Sequence, residues 1–506
     1  MTFTQADVLQ NWKLGRKALN FGLVLTVTLV VFTALSVQVI VWQQLVVSLN
    51  VTFKQLNNSQ SIFCAGLAMG TVVFMPFAIK YGRRPVYIIS TAIVFAMSVW
   101  SSRMDTLWEL YLTNLIMGLA GATNEAIIGC TIADLFFVHQ RATMNGIYLL
   151  TVVAGNFLTP MLAGVHATAS GWRWVYYVLS IFTGFVFLAF IFLYEETKYI
   201  PLSEGQQSIT VASSEVPSQT AIEREGGSMV TEPAKAEAEE SLYQIDTGIQ
   251  IDDTVPLASW KQRLSSTRPT DESLRELFYR PVLIMFRLPI VAFAAFQYSV
   301  ALCWLVNIIV VLNMVFPYPP YNFTPAQVGY MCLGPFTGFM IGTLYGGPLT
   351  DKAIVWFAKR NHGYYEPEMR LYLLHLPCVL TAAGIIMFGV TTAKGMHWIV
   401  PAIGGAIYAA GGIAYGDNIL TYVIDSHKLL AGEAFVTISF WRNLLIIVMA
   451  QIRIPWMIGM GLQNMFILSG FLSLALTFLY VPMIYLGKRT RRASAKWYYQ
   501  MAENRI

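Results

Sequence analysis

The sequence predicts an all-α membrane protein in which twelve transmembrane helices form two pseudo-symmetric six-helix bundles. Three observations predict it. Of 506 residues, 56% are hydrophobic and 12% are charged, and the mean hydropathy is +0.55; a soluble chain of this length needs far more polar surface. The apolar runs fall into six, a long polar segment, and six more. The cations also sort by side. With a cytoplasmic N-terminus, 26 of the 33 Lys and Arg residues fall on the inside, five fall outside and two lie within spans, which is the positive-inside bias.

In chain order, residues 1–19 form a polar cytoplasmic N-terminus with Lys13, Arg16 and Lys17 before the first span. The first bundle occupies 20–194, with spans near 20–47, 61–79, 86–101, 107–135, 144–167 and 174–194. Each is about long enough to cross a bilayer. The first run is too long for a signal peptide and reads as an anchor that stays. Residues 195–281 hold sixteen of the 28 acidic residues among Ser, Ala and Pro, and read as a disordered cytoplasmic linker. The second bundle occupies 282–486, with spans near 282–315, 326–349, 371–390, 396–424, 433–452 and 463–486, followed by a basic cytoplasmic tail at 487–506.

Three sequons, at Asn50, Asn57 and Asn322, fall in loops that the charge count places outside, which points to a glycosylated protein of a eukaryotic secretory route, most simply in the plasma membrane. The five cysteines all lie in apolar runs and read as small core residues. The six histidines are scattered without metal-ligand spacing and no nucleophile motif appears, so neither an enzyme nor a metal or other cofactor is expected. A non-transporting sensor would carry a long folded cytoplasmic extension, which the linker and tail do not resemble. The partners expected are the lipid bilayer, a small-molecule solute and protons, with no nucleic acid and a monomeric chain.

A charge at mid-helix costs roughly 2.5–3.5 kcal/mol and is kept only where it meets a cavity or a partner. Glu125 lies in span four among Gly118, Gly121 and Gly129, and Asp417 lies at nearly the same place in span ten. Glu125 stands nine residues before Asp134, and Asp417 eight before Asp425. Both read as proton or cation sites bordering a central cavity, or as protonated acids satisfied by neighbouring helices. Arg442 with Asn443 in span eleven reads either as an anion-binding pair or as a partner for Asp417. Arg287, a turn or two from the end of span seven, reads as a snorkelling side chain. Gln297, Tyr298, Trp304 and Asn307 give span seven hydrogen-bonding and aromatic surface suited to a pocket, although Trp and Tyr also fill cores.

The loops between spans supply a resemblance. Lys80-Tyr81-Gly82-Arg83-Arg84-Pro85 is a tight basic turn between spans two and three, and Gly347-Pro348-Leu349-Thr350-Asp351-Lys352 closes span eight. Together they resemble the signature loop of the major facilitator superfamily, with the back of the motif in the first half, where Met75 and Ile79 replace the usual Gly and Asp, and the front in the second. Span five, with Gly146, Gly155, Thr159-Pro160 and Ala163-Gly164, resembles the antiporter motif of drug:proton antiporters, with Thr159 and Ala163 in place of two glycines. Gly171-Trp172-Arg173-Trp174, Glu196-Thr197-Lys198-Tyr199 and Pro319-Pro320-Tyr321-Asn322-Phe323 look like a fungal branch that includes histidinol- and polyamine-type carriers.

The resemblance implies the twelve-helix fold of that superfamily and proton-coupled transport of a small organic solute by alternating access. It implies gating roles for Asp134, Arg141 and Asp425 beside the two signature loops. Where the wider family often carries an arginine in span four, this chain has Asn114. Efflux of a drug-like or secondary-metabolite compound is the favoured direction. The alternative is proton-coupled uptake of an organic cation such as a polyamine, suggested by the two acids within spans.

Overall fold

A computed structural model describes residues 12, 14–136, 138–197, 274–427 and 430–503. The described residues are helical throughout, and ten of their helices are long and apolar enough to cross a bilayer. The first half contains α1 (Leu14–Ile40), α2 (Trp42–Leu49), α3 (Phe53–Tyr81), α4 (Arg83–Ser102), α5 (Leu107–Leu135), α6 (Val138–Val153), α7 (Thr159–Ser170) and α8 (Trp172–Leu193). The second contains α9 (Leu274–Arg287), α10 (Pro289–Val315), α11 (Pro325–Met331), α12 (Leu333–Leu344), α13 (Thr350–Arg360), α14 (Met369–Tyr372), α15 (His375–Ala393), α16 (Ile399–Ser426), α17 (Ala431–Met460), α18 (Leu462–Thr477) and α19 (Tyr480–Glu503).

Helix α5, 29 residues long, covers the fourth expected span and carries Glu109, Glu125 and Asp134. Span eight is broken into α11, α12 and α13. One-turn π segments at Ala154–Leu158 and Tyr345–Leu349 interrupt spans five and eight, with Pro160 just after the first and Pro348 inside the second. Such bulges bend a helix without ending it.

Local sequence sets the helix starts. Thr52 with Gln55, Thr106 with Glu109 and Thr324 with Gln327 each form a reciprocal capping box at the head of α3, α5 and α11. All three lie on the side opposite the chain termini, here called the far side. On the terminus side the α3–α4 turn is the single residue Gly82 at φ +113°, a conformation side chains rarely adopt. No side chain caps α4 from within that turn. Glu196 does so from 112 residues away, accepting from the backbone N–H groups of Arg83 (2.9 Å) and Arg84 (3.1 Å).

Small residues fix the helix pairs, and they do so alike in both halves. In the first, Gly66 and Gly70 of α3 lie against the α5 backbone at Leu115 and Leu119, and Gly118 of α5 lies against Phe63. In the second, Gly334, Gly338 and Gly342 of α12 lie against Ala402, Ala406 and Ala410 of α16. Spacings of four residues put each set on one helix face and let backbones touch where lipid offers no hydrophobic drive. This repeated ladder is the pseudo-symmetry predicted from the hydropathy pattern.

The ends of the polar segment differ from expectation. Glu195, Glu196 and Thr197, expected in the linker, are buried. Glu195 is ion-paired with Arg16, and its backbone N–H donates to Asn20 at 2.8 Å. At the other end α9 starts at Leu274, and its buried Arg280 pairs with Glu276 and Glu433. Acids that cap a helix and acids of a solvated loop look alike in sequence. The rest of the expected linker, 198–273, and the N-terminal residues 1–11 lie outside the described residues. The expected tail is also packed: in α19, Arg491 bonds Glu368 at 2.7 and 3.0 Å, and Lys488 donates to Glu366 at 2.5 Å.

Candidate transport site

The two halves meet along α17. Its centre carries Arg442, whose guanidinium is ion-paired with Glu125 of α5 in the opposite half. Arg442 also donates to the neighbouring Asn443 Oδ1 from Nε (3.3 Å) and Nη2 (3.1 Å). Both charges are largely buried, with side-chain exposures of 13% and 6%. Tyr148 of α6 and Tyr298 of α10 lie within electrostatic range of both charges. Glu125 therefore has a partner 317 residues away in sequence, and that partner is the one expected for Asp417.

Asp417 stands apart. Its carboxylate makes no hydrogen bond or ion pair among the described residues, and the second π segment makes room for it. A Cβ at Gly346 would stand 3.0 Å from Asp417 Oδ2. The glycine of the broken span thus sets the space around the acid. On the same helix Asn418 is fully buried, and its Nδ2 reaches Ala414 O at 2.8 Å.

Span seven divides its polar residues between two tasks. Gln297 points into its own half, donating to Leu476 O at 3.2 Å. Tyr298 packs on Gly416 and beside Arg442. Trp304 is buried. Asn307 is buried and accepts from Arg453 Nε at 2.8 Å through its Oδ1. Arg453, expected in an outer loop, is 1% exposed inside α17, which runs on to Met460. The signal for it was its spacing: eleven residues after Arg442 is about three turns, so the two arginines share a face.

Arg453 also overturns one glycosylation site. Its Nη1 donates to Asn57 Oδ1 at 2.8 Å, and Asn57 Nδ2 donates to Ala450 O at 2.6 Å. At 2% exposure the Asn57 amide has no room for a sugar, whereas Asn50 and Asn322 are exposed. Glycosidase treatment of protein from eukaryotic cells should therefore shift wild type and Asn57→Gln equally. The shift should disappear in the Asn50→Gln, Asn322→Gln double variant. A glycan retained by that double variant and lost only on further changing Asn57 would contradict this placement.

The residues of the signature loops pair within each half. Arg83 is ion-paired with Asp134, and Arg84 donates to the carbonyls of Tyr194 (2.8 Å) and Ile191 (3.0 Å). Lys80 sits near the Tyr81 ring. In the second half Arg370 joins Asp425 (2.7 Å) and Asp351 (3.5 Å), while Lys352 is exposed. Arg141 lies on α6, with its side chain outside the described residues. Arg287 is exposed at the end of α9.

The span-five motif is split in use. Gly155 packs against Phe32 of α1, buried Pro160 follows the π segment, and Gly164 meets the Pro325 carbonyl of the other half. Gly146 has open space around it and takes no part in that close packing.

Between the halves, polar ties lie at mid-membrane (Glu125–Arg442) and on the far side. The latter are Asn57 to Ala450 and Arg453, Gln451 to Ser61 at 3.2 Å, and Thr168 to the Ala326 N–H at 3.2 Å. On the terminus side the ion pairs of Arg83, Arg370 and Arg491 stay within one half, and Phe77 meets Phe278 across the boundary. Two like bundles joined by a charged pair at their centre are the architecture of a carrier.

The family profile described as Major Facilitator Superfamily matches residues 24–450. The chain belongs to the major facilitator superfamily. Among its relatives, an uncharacterised MFS-type transporter of Schizosaccharomyces pombe is 28% identical over 97% of this chain and 87% of its own length. Protein HOL1 of Saccharomyces cerevisiae is 26% identical over 97% and 89%. The MFS-type transporter penM of Penicillium rubens is 25% identical over 88% and 80%. Among solved structures, the peptide transporter POT, crystallised as a variant with sulfate, superposes with a TM-score of 0.62 at 13% identity over 97% of this chain and 99% of that one. That likeness shows the fold. As a superfamily member the chain is a multi-pass membrane transporter.

Proposed function

We propose that this transporter couples proton movement to the passage of a small organic solute by alternating access, in the direction of efflux. The observation that carries the reading is the Glu125–Arg442 pair. It is a buried charge pair whose two members belong to different halves, so neutralising Glu125 by a proton removes the attraction that holds the halves together at their centre. Desolvation makes such a pair an all-or-none contact, favourable when complete and costly when one partner is lost. Asp417, without a partner among the described residues and facing the π segment, is a second place for a proton. A unit charge crossing 100 mV releases about 2.3 kcal/mol, enough for roughly fifty-fold accumulation or expulsion.

The polar ties between halves on the far side, from Asn57, Ser61 and Thr168, support a closed contact there. The spacing of Gly146, Gly155, Pro160 and Gly164 supports antiport, because its last glycine packs on the opposite half. The test is flux of a drug-like fluorescent cation in proteoliposomes under an imposed pH gradient. Wild type should show gradient-driven flux, Glu125→Gln and Asp417→Asn should lose it, and undiminished flux in Glu125→Gln would reject the assignment. One observation favours the second reading: the unpaired Asp417 carboxylate would accept an organic cation, and proton-driven uptake of labelled spermidine would select it.

A further inference from the structure

Arg453 is a buried cation held only by neutral partners. Its guanidinium is 1% exposed, and no carboxylate lies within ion-pair distance among the described residues. Its partners are the neutral oxygens of Asn307 and Asn57, and its Nη2 is buried with no partner. Asn307 Nδ2 is likewise buried and unmet beside it, and so is Trp304 Nε1 one turn earlier on α10. Buried polar groups are rarely left unmet, and a buried cation normally has a counter-charge. Unmet donors beside a cation with no carboxylate in reach describe a place for an anion.

The polarity of the α17 face points the same way. Glu125 answers Arg442, and no carboxylate among the described residues answers Arg453 three turns further along. Asn57 belongs to the first half, Asn307 and Arg453 to the second, so the site lies where the halves part during alternating access.

We infer that Arg453, positioned by Asn57 and Asn307, forms an anion subsite that takes the carboxylate of an organic solute. Arg453 already spends Nε and Nη1 on the two asparagines, which holds the guanidinium plane fixed. The free Nη2 and the Asn307 amide are left as the donors for one carboxylate, and charge-assisted bonds of this kind are the strong ones. The inference rests on the transport reading only for the route by which solute arrives.

The test uses purified full-length protein in detergent, at constant ionic strength, with benzoate, its uncharged analogue benzamide, and inorganic phosphate as probes. Benzoate should raise the thermal midpoint of wild type in a saturable way, and benzamide and phosphate should not. In Arg453→Gln the same shift should need about tenfold more benzoate or more. Arg453→Lys, which keeps the charge and loses the fork, should respond more weakly than wild type and provides the reading if the glutamine variant does not fold. An equal benzoate response in wild type and Arg453→Lys or Arg453→Gln, or a benzamide shift equal to that of benzoate, overturns the site. Stabilisation by phosphate without benzoate overturns the carboxylate assignment. Absence of proton-driven flux in wild type, with an intact benzoate response, would sink the coupling reading and leave this subsite standing.

Discussion

Neutralising one member of the central pair should cost more stability than neutralising both. Glu125→Gln leaves Arg442 charged and buried among neutral neighbours, Asn443 and Tyr298, and Arg442→Gln leaves Glu125 buried without its counter-charge. Removing one partner of a buried pair typically costs about 3–5 kcal/mol, whereas replacing both by neutral groups is often close to neutral. The double variant should therefore melt well above either single one in a detergent thermal-shift series, with a coupling energy of about 2 kcal/mol or more between the two sites. All three variants should lose proton-driven flux, because the double variant restores packing and not charge. Additive losses of stability would show that the two side chains act independently.

Gly338→Val should be among the most damaging single changes outside the charged core. A Cβ at Gly338 would lie 2.0 Å from the Ala406 carbonyl oxygen, a backbone atom that cannot swing aside. Helices α12 and α16 would have to separate, and neighbouring Gly334 and Gly342 would lose their contacts with Ala402 and Ala410. Overpacking costs about 1–3 kcal/mol where side chains can adjust, and here the obstacle is backbone, so a loss of about 3 kcal/mol or more is expected. Yield and monodispersity by size-exclusion chromatography should fall sharply. Gly22→Ala is the control. Its Cβ meets nothing within 4 Å in mid-α1, so its yield should match wild type or rise slightly.

The span pattern, the halves and the positions of Glu125, Asp417 and Arg442 were legible in the sequence because hydropathy and the cost of buried charge are local properties. Which residue answers which was not. Glu125 and Arg442 are 317 residues apart, and pairing across halves depends on helix rotation that no window of sequence reports. Arg453 escaped notice for the opposite reason. It stands near enough to the expected end of span eleven to be counted as a loop cation, and only its register with Arg442 marks it as buried. Asn57 carries a valid sequon where the span pattern expects an outer loop, yet it lies on α3 with its amide held against α17. Glu195 and Glu196 belong by composition to the acidic segment, yet they finish the first bundle as the partner of Arg16 and the cap of α4.

Arg442, Ala450, Gln451 and Arg453, which hold the first half at mid-membrane and on the far side, all belong to one unbroken thirty-residue helix. Because a single rod carries them, a tilt or slide of that rod disturbs them together, and partial release gains little for the strain it imposes. Switching should then resemble a latch more than a zipper: two well-populated end states, few halfway ones, and a barrier that any change along α17 can raise or lower for all of these fastenings at once.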